Sequence, residues 1–396
     1  MIRFLFLFLV PSVCFSQPPI KCNDPSFALL AEVANIIQQN YYDENITKEY
    51  LITGAIKGML AQVEGVKYDN QLISNHLLLP SQFAQVRRAL GGELVGIGVT
   101  TFFDPQQNIG IITSVIPNSP GAKAGLRVGD RLLAINGSRL TGTRLSHVPL
   151  SPGKTISLLI ERDKQLFRLH VKQQRIKLPA VVAQTKEKHI GYIKIARFHQ
   201  FVPPRVKLEL KRFERDRIRG LILDLRNNPG GRTDDSVTTA AYFLPQGATI
   251  ATIKKRSKPP QVFQTTQHPV WTKPLVVLIN KQTSGGAEIL ATALRAHKRG
   301  VLIGEPTYGK ASVQSIFPLS NQFALKLTTG IISSPQGGTF EKTGIKPDLT
   351  INTAAEDMSD PQLNSALEIL RYKIEQESPT VVKPPSILQV SGKSKE

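Results

Sequence analysis

The run Gly220-Leu-Ile-Leu-Asp-Leu-Arg sets the narrowest limit on how this chain can fold. A strand with almost no alternation of polar and apolar positions is expected where both faces of a sheet are covered, as in parallel sheets flanked by helices. The neighbouring segments supply the covering. Ile190–Ile195 reads as a strand, 203–213 as a helix, and Asn227-Asn-Pro-Gly-Gly as a turn that yields to a helix around 236–243. Strand Leu275–Ile279, helix 287–296, strand Val301–Gly304 and strand 323–331 follow. Strands alternating with helices in this order predict an α/β core over 178–355.

Two further regions precede that core. Residues 24–90 read as helical, with Phe27, Leu29, Leu30, Val33, Ile36 and Ile37, then Tyr50, Leu51, Ile56 and Met59, recurring at helical spacing. These stripes are expected to be buried core. Asn45-Ile-Thr-Lys-Glu breaks the two helices and holds a cap for the second. From about Gly91 to 177 the period changes to short β-rich runs punctuated by Gly and Pro, which predicts a β-rich domain. Beyond the core, 356–376 reads as a helix and 377–396 as a flexible tail rich in Pro, Ser, Lys and Val.

The first 16 residues carry Arg3, an apolar run from Phe4 to Phe15, and then Ser16. This is the pattern of a secretory signal peptide, and the run is short for a membrane span of about 20 residues. Export to a periplasmic or cell-envelope location is expected. Cleavage there leaves Cys22 as the sole cysteine, so neither an internal disulfide nor a cysteine metal site can form. The 50 Lys and Arg against 30 Asp and Glu give a net charge of +20. Such a field favours anionic surfaces, including membrane headgroups. The charges are scattered, however, and neither zinc spacing nor a phosphate-binding Gly-Lys loop accompanies them, so nucleic acid is not an expected partner. The seven histidines show no HExxH or i,i+4 pairing, so no metal or other cofactor is expected.

The stretch Ser114–Gly137, SVIPNSPGAKAGLRVGDRLLAING, resembles a PDZ domain of the bacterial protease type. Gly96, Ile97, Gly98 and Val99 stand where that family has its carboxylate-binding loop. Backbone N–H groups of such a loop form a nest for an anionic chain end, and the strand after it offers an edge for strand addition.

Three later stretches, LILDLRNNPGG (221–231), VVLINKQTSGGAEILATAL (276–294) and GEPTYGKASVQ (304–314), together with the PDZ segment, resemble the C-terminal (tail-specific) processing peptidases. These are serine peptidases with a Ser/Lys dyad. The resemblance implies an α/β multidomain chain with a helical N-terminal region, an inserted PDZ domain and a peptidase core, acting on protein or peptide C-terminal tails. By that resemblance Lys310 matches the catalytic Lys, Gln314 the residue that orients it, and Gly231 an oxyanion-hole donor, joined by the N–H of Gly286. A lysine base needs its ammonium pKa depressed to act near neutrality. The chain departs from the family at one place. Counted back three residues from Glu288, the expected nucleophile position holds Gly285, which carries no hydroxyl. Ser284, one residue earlier, is the candidate for a displaced nucleophile, and a site emptied of its nucleophile is the alternative. A one-residue shift at a helix start turns a side chain by about 100°. Glu288, just inside a helix start, reads as readily as a residue that compensates the helix dipole as it does as a catalytic one.

Overall fold

A computed structural model describes residues 25–41, 46–64, 75–104, 106–140, 151–177, 180–352 and 360–376. The expected signal segment and the tail 377–396 lie outside the described residues. The chain divides into two units, Met1–Leu77 and Leu78–Glu396, and each is described by itself.

The first unit holds α1 (Pro25–Asn40) and α2 (Lys48–Glu64). Thr47 caps α2, its hydroxyl accepting the Tyr50 N–H at 3.2 Å. The stripes expected to be core are not buried. Leu29 is 63% exposed and Tyr50 70%, with Phe27, Leu30, Val33, Ile36 and Met59 also exposed, while Leu60 is buried. Helical spacing establishes that a face is apolar but not that the chain has anything to lay over it.

The second unit opens with α3 (Pro80–Leu90), and β2 (Glu93–Gly96) pairs with β9 (Gln174–Lys177) where the chain enters and leaves the β-rich domain. Between them β3 (Val99–Asp104), β4 (Ile109–Val115), β5 (Arg131–Ile135), β7 (Thr155–Arg162) and β8 (Gln165–Lys172) form one antiparallel sheet in that order, with β6 (Ser138–Arg139) on β5. Strands β3 and β8 are its edges. Ile112, Leu126, Leu132, Leu158 and Ile160 fill the core. Ser119 starts the short helix α4 (Pro120–Lys123), its Oγ accepting the Ala122 N–H.

Asp130 is the buried ion of this domain, its side chain 1% exposed and paired with Arg162 at 2.6 and 2.7 Å. Burial opposes its ionisation, but Arg162 and the Arg127 N–H hold the carboxyl below the usual range. A carboxylate with a lowered native pKa adds stability above its unfolded value of about 3.9, and that stability is lost as pH falls through the native value. Asp130→Asn therefore costs about 3 kcal/mol near neutrality. Thermal melts should show the gap between parent and variant close as the pH drops below about 4.

The α/β core follows. Strands β10 (Val181–Glu187), β11 (Ile190–Ile195), β12 (Gly220–Asp224), β15 (Leu275–Ile279), β16 (Val301–Gly304) and β19 (Leu349–Thr350) lie side by side, antiparallel for β10–β11 and parallel from β11 onward. Alternate residues of the apolar strands serve opposite layers. Leu221, Leu223, Val277 and Ile279 pack with α5 (Val202–Arg215), α6 (Thr233–Ala240) and α7 (Gly286–Ala296). Ile222, Val276 and Leu278 pack with Ala366, Ile369 and Leu370 of α8 (Pro361–Gln376). Every residue of β12 is buried, as two covered faces require. A second sheet pairs β13 (Thr249–Lys255) with β14 (Gln261–Gln264) and with β18 (Ala324–Ser333), which also forms a hairpin with β17 (Ser312–Pro318).

Helix boundaries differ from the sequence expectation by a few residues. The expected 236–243 helix starts at Thr233, because Asp234 and Asp235 suit its positive first turn. The C-terminal helix runs Pro361–Gln376, and residues 356–359 of the expected helix lie outside the described residues.

Candidate active site

Three loops leave the carboxyl ends of β12, β15 and β16 and meet there, at the edge where open α/β sheets bind ligands. The first, Arg226–Gly231, is pinned from both sides. Arg226 is chelated by Asp224 at 2.8 Å and Asp360 at 2.7 Å, and the Tyr192 hydroxyl donates to Asp224. Asn228, fully buried, donates its amide to Ile195 O and accepts the Gly230 N–H, while its carbonyl accepts the Ser284 N–H. Asn280 reaches across to Asn227, accepting its N–H and donating to its side-chain oxygen. Gly231 runs beside Phe198 with φ of 143°, where a Cβ would stand 2.0 Å from the Phe198 carbonyl oxygen, so no other residue fits.

The second loop carries Thr283, Ser284, Gly285 and Gly286 into α7. Thr283 is internal, its hydroxyl donating to Leu225 O and accepting the Asn280 N–H. Gly285 is the residue before the helix, with φ of 54° and ψ of −116°. Its backbone is in the left-handed half of the map, yet a Cβ there would meet nothing nearer than Gly230 Cα at 3.8 Å. Gly286 opens the helix, so its N–H has no partner one turn back.

The third loop is held by Glu288, which is fully buried one turn into α7. Its carboxylate accepts the N–H of Gly285 at 2.9 Å, of Gly309 at 2.7 Å and of Lys310 at 2.8 Å, and the Thr307 hydroxyl at 2.5 Å. Burial pushes its pKa up, and these donors pull the other way. Glu288 is thus more than a helix-dipole residue, because it ties the position of Gly285 to the position of Lys310.

The loops enclose a cleft of about 140 Å³ lined by Gly231, Gly285, Gly286, Lys310 and Gln314, with Pro229, Ile289 and Ile332 among its walls. Five of the residues singled out in the sequence therefore come together. Ser284 does not line the cleft; it is buried at 8% exposure, with its N–H on Asn228 and its carbonyl accepting from Ala287. Sequence reasoning missed Asn228, Asn280 and Thr307, whose only signal is the placing of amides and a hydroxyl beside the motif glycines. Behind the Arg226–Gly231 loop, His199 packs its ring against Gly92, with Nε2 unpartnered among the described residues. Burial pushes its pKa down and that of neighbouring Asp235 up.

In the β-rich domain, the loop Gly96–Val99 turns its carbonyls inward. Ile97 O accepts the Gly121 N–H at 2.7 Å, and Gly98 O accepts the Ile116 N–H at 2.8 Å. A trans peptide sets N–H opposite C=O, so the amides of Gly98 and Val99 point away from those partners.

Residues 189–351 match the family profile described as Peptidase family S41, and 111–162 match that of a PDZ domain. The chain is 32% identical over 310 residues to the carboxyl-terminal-processing protease of Synechocystis sp., covering 74% of this chain and 72% of the relative. To the carboxy-terminal processing protease CtpA of Bacillus subtilis it is 28% identical over 341 residues, 85% of this chain and 71% of the relative. Among solved structures, the photosystem II D1 C-terminal processing protease superposes with a TM-score of 0.58 at 22% identity, over 87% of this chain and 96% of that one.

Proposed function

This chain belongs to the carboxyl-terminal processing proteases of peptidase family S41, and on that footing we propose that it captures protein C-terminal tails through its PDZ domain and holds them in a peptidase cleft whose nucleophile position is vacant. The reading is carried by Gly285. It lines the cleft with Lys310, Gln314 and the glycines 231 and 286, while Ser284, the nearest hydroxyl in sequence on that loop, is buried and does not line the cleft, its backbone N–H and carbonyl taken by the loop's own hydrogen bonds. The remaining parts suit acyl transfer. The Gly231 and Gly286 N–H groups are donors for a developing oxyanion, a pair worth several kcal/mol of barrier in a complete site. Lys310 is the base and Gln314 its orienting partner. A hydroxyl on the 285 backbone is the missing part. The chain acts outside the cytoplasm, a reading supported by the Arg3, Phe4–Phe15 and Ser16 pattern.

Tail capture is supported by the outward amides of Gly98 and Val99 and by β3, an edge strand of its sheet that follows them directly. Peptides ending in an apolar residue with a free carboxyl group should bind, and amidating that end should weaken binding about tenfold, the scale of a lost charge-assisted hydrogen bond. Calorimetry with matched acid and amide peptides checks this. Equal affinities remove the carboxylate nest.

A further inference from the structure

The β17–β18 hairpin walls the cleft beside Lys310, and its register sorts side chains onto two faces. Ser315 Oγ meets Thr329 Oγ1 at 2.7 Å, and Leu327 lies directly opposite Ser315, so these three share one face. Gln314 opposite Thr328, and Ile316 opposite Lys326, take the other face. Ser312, Val313 and Gln314 all line the cleft; Lys326 shares the Gln314 face about 7 Å further along, within reach of the Lys310 charge, and so stands beside the cleft. No motif marks this residue, and the ordering of the three family stretches does not include it.

Lys326 is partly buried. Among the described residues no ion pair or hydrogen bond joins it to a carboxylate. Burial, and then the charge of Lys310, push its ammonium pKa down. The Glu341 carboxylate near this corner is engaged by the Ala311 N–H at 2.7 Å. A half-desolvated cation whose charged neighbour is a second cation is unfavourable in the free chain. An anion delivered to the cleft would relieve both charges at once.

We propose that Lys326 is a specificity-determining residue of the cleft, the receptor for a carboxylate of the bound peptide within about two residues of the point facing Gly285. The carboxylate has two sources, the α-carboxylate of a peptide end or the side chain of Asp or Glu. The proposal rests on the reading that a peptide occupies this cleft, and it makes acidic or terminal segments the ones the cleft prefers.

The test is a double-mutant cycle, read by fluorescence anisotropy on the full chain. Labelled peptides are compared in two pairs: free-acid end against amidated end, and internal Glu against internal Gln with both ends blocked. Each pair is titrated against the parent, Lys326→Met and Lys326→Arg. Any preference contributed by the PDZ loop is the same in all three chains and cancels. In at least one pair the acid should bind the parent about tenfold tighter than its counterpart, beyond that constant contribution, and lose this in Lys326→Met while keeping it in Lys326→Arg. The pair that responds names the source of the carboxylate. Acid-to-amide ratios unchanged by Lys326→Met in both pairs, with unchanged melting, overturn the proposal. Cleavage of the same peptides by Gly285→Ser separates the two readings. Coupling at Lys326 with a silent Gly285→Ser keeps the carboxylate site and sinks the vacated-peptidase reading. Cleavage without coupling sinks the carboxylate site alone, and neither result sinks both.

Discussion

Gly285→Ser should raise the cleavage of an unstructured tail peptide by at least about 10³-fold over the parent chain, which should itself be nearly silent. Removing the nucleophile from a well-studied serine protease costs about 10⁶ in rate, so a grafted hydroxyl that recovers half of that on a logarithmic scale reaches this figure. The cleft has room for it. A Cβ at position 285 meets only Gly230 Cα at 3.8 Å and Pro229 O at 3.9 Å. The backbone need not move either, since the loop is fixed by the bond from Gly285 N–H to Glu288 and by the bond from Ser284 N–H to Asn228. The opposing effect is the φ of 54°, which a serine tolerates at about 1–3 kcal/mol. The variant should therefore melt lower than the parent while acting faster, a trade common at strained nucleophile turns. Lys310→Met placed on Gly285→Ser should return the rate to the parent's, and Ser284→Ala on the same background should leave it within a few-fold. Peptide hydrolysis followed by mass spectrometry reads all of these.

Glu288→Ala should cost about 3–5 kcal/mol of stability, because it strands the N–H groups of Gly285, Gly309 and Lys310 and the Thr307 hydroxyl in a buried site. The loss should be visible as a lower urea midpoint. Placed on Gly285→Ser, it should also abolish the gained cleavage in whatever fraction remains folded, since the carboxylate sets the distance between the 285 backbone and the Lys310 loop. Glu288→Gln should be milder in stability, as its oxygen keeps part of the donor set while its NH₂ faces an N–H it cannot accept. A Glu288→Ala chain of parental stability would mean that the hub is not what joins the two loops.

What the sequence reveals follows from which forces act locally. The apolar strands 190–195, 275–279 and 301–304 are readable to the residue because burial on both faces leaves Lys194 as the one charged position among them. The cleft glycines and Lys310 are readable through the resemblance of their stretches to the processing peptidases, and they come together in space because each loop follows the carboxyl end of a core strand. The stripes of α1 and α2 are misread as core for the converse reason, since periodicity reports a face and not its cover. Glu288 is visible as a residue near a helix start, but of its four donors one comes from its own loop and three from a loop about twenty positions later. Lys326 is not legible at all. Only the register of a bulged hairpin, with its shift between Val313 and Gln314, places it beside the cleft.

In the proposed reading the cleft is complete except for a hydroxyl at 285. Intact-mass spectrometry after incubation with a serine-directed fluorophosphonate tests it most directly. The parent chain should remain unmodified, and Gly285→Ser should gain a single phosphonyl group that peptide mapping places at position 285. A phosphonyl adduct on the parent at Ser284, lost in Ser284→Ala, would contradict the claim and make the displaced serine the nucleophile.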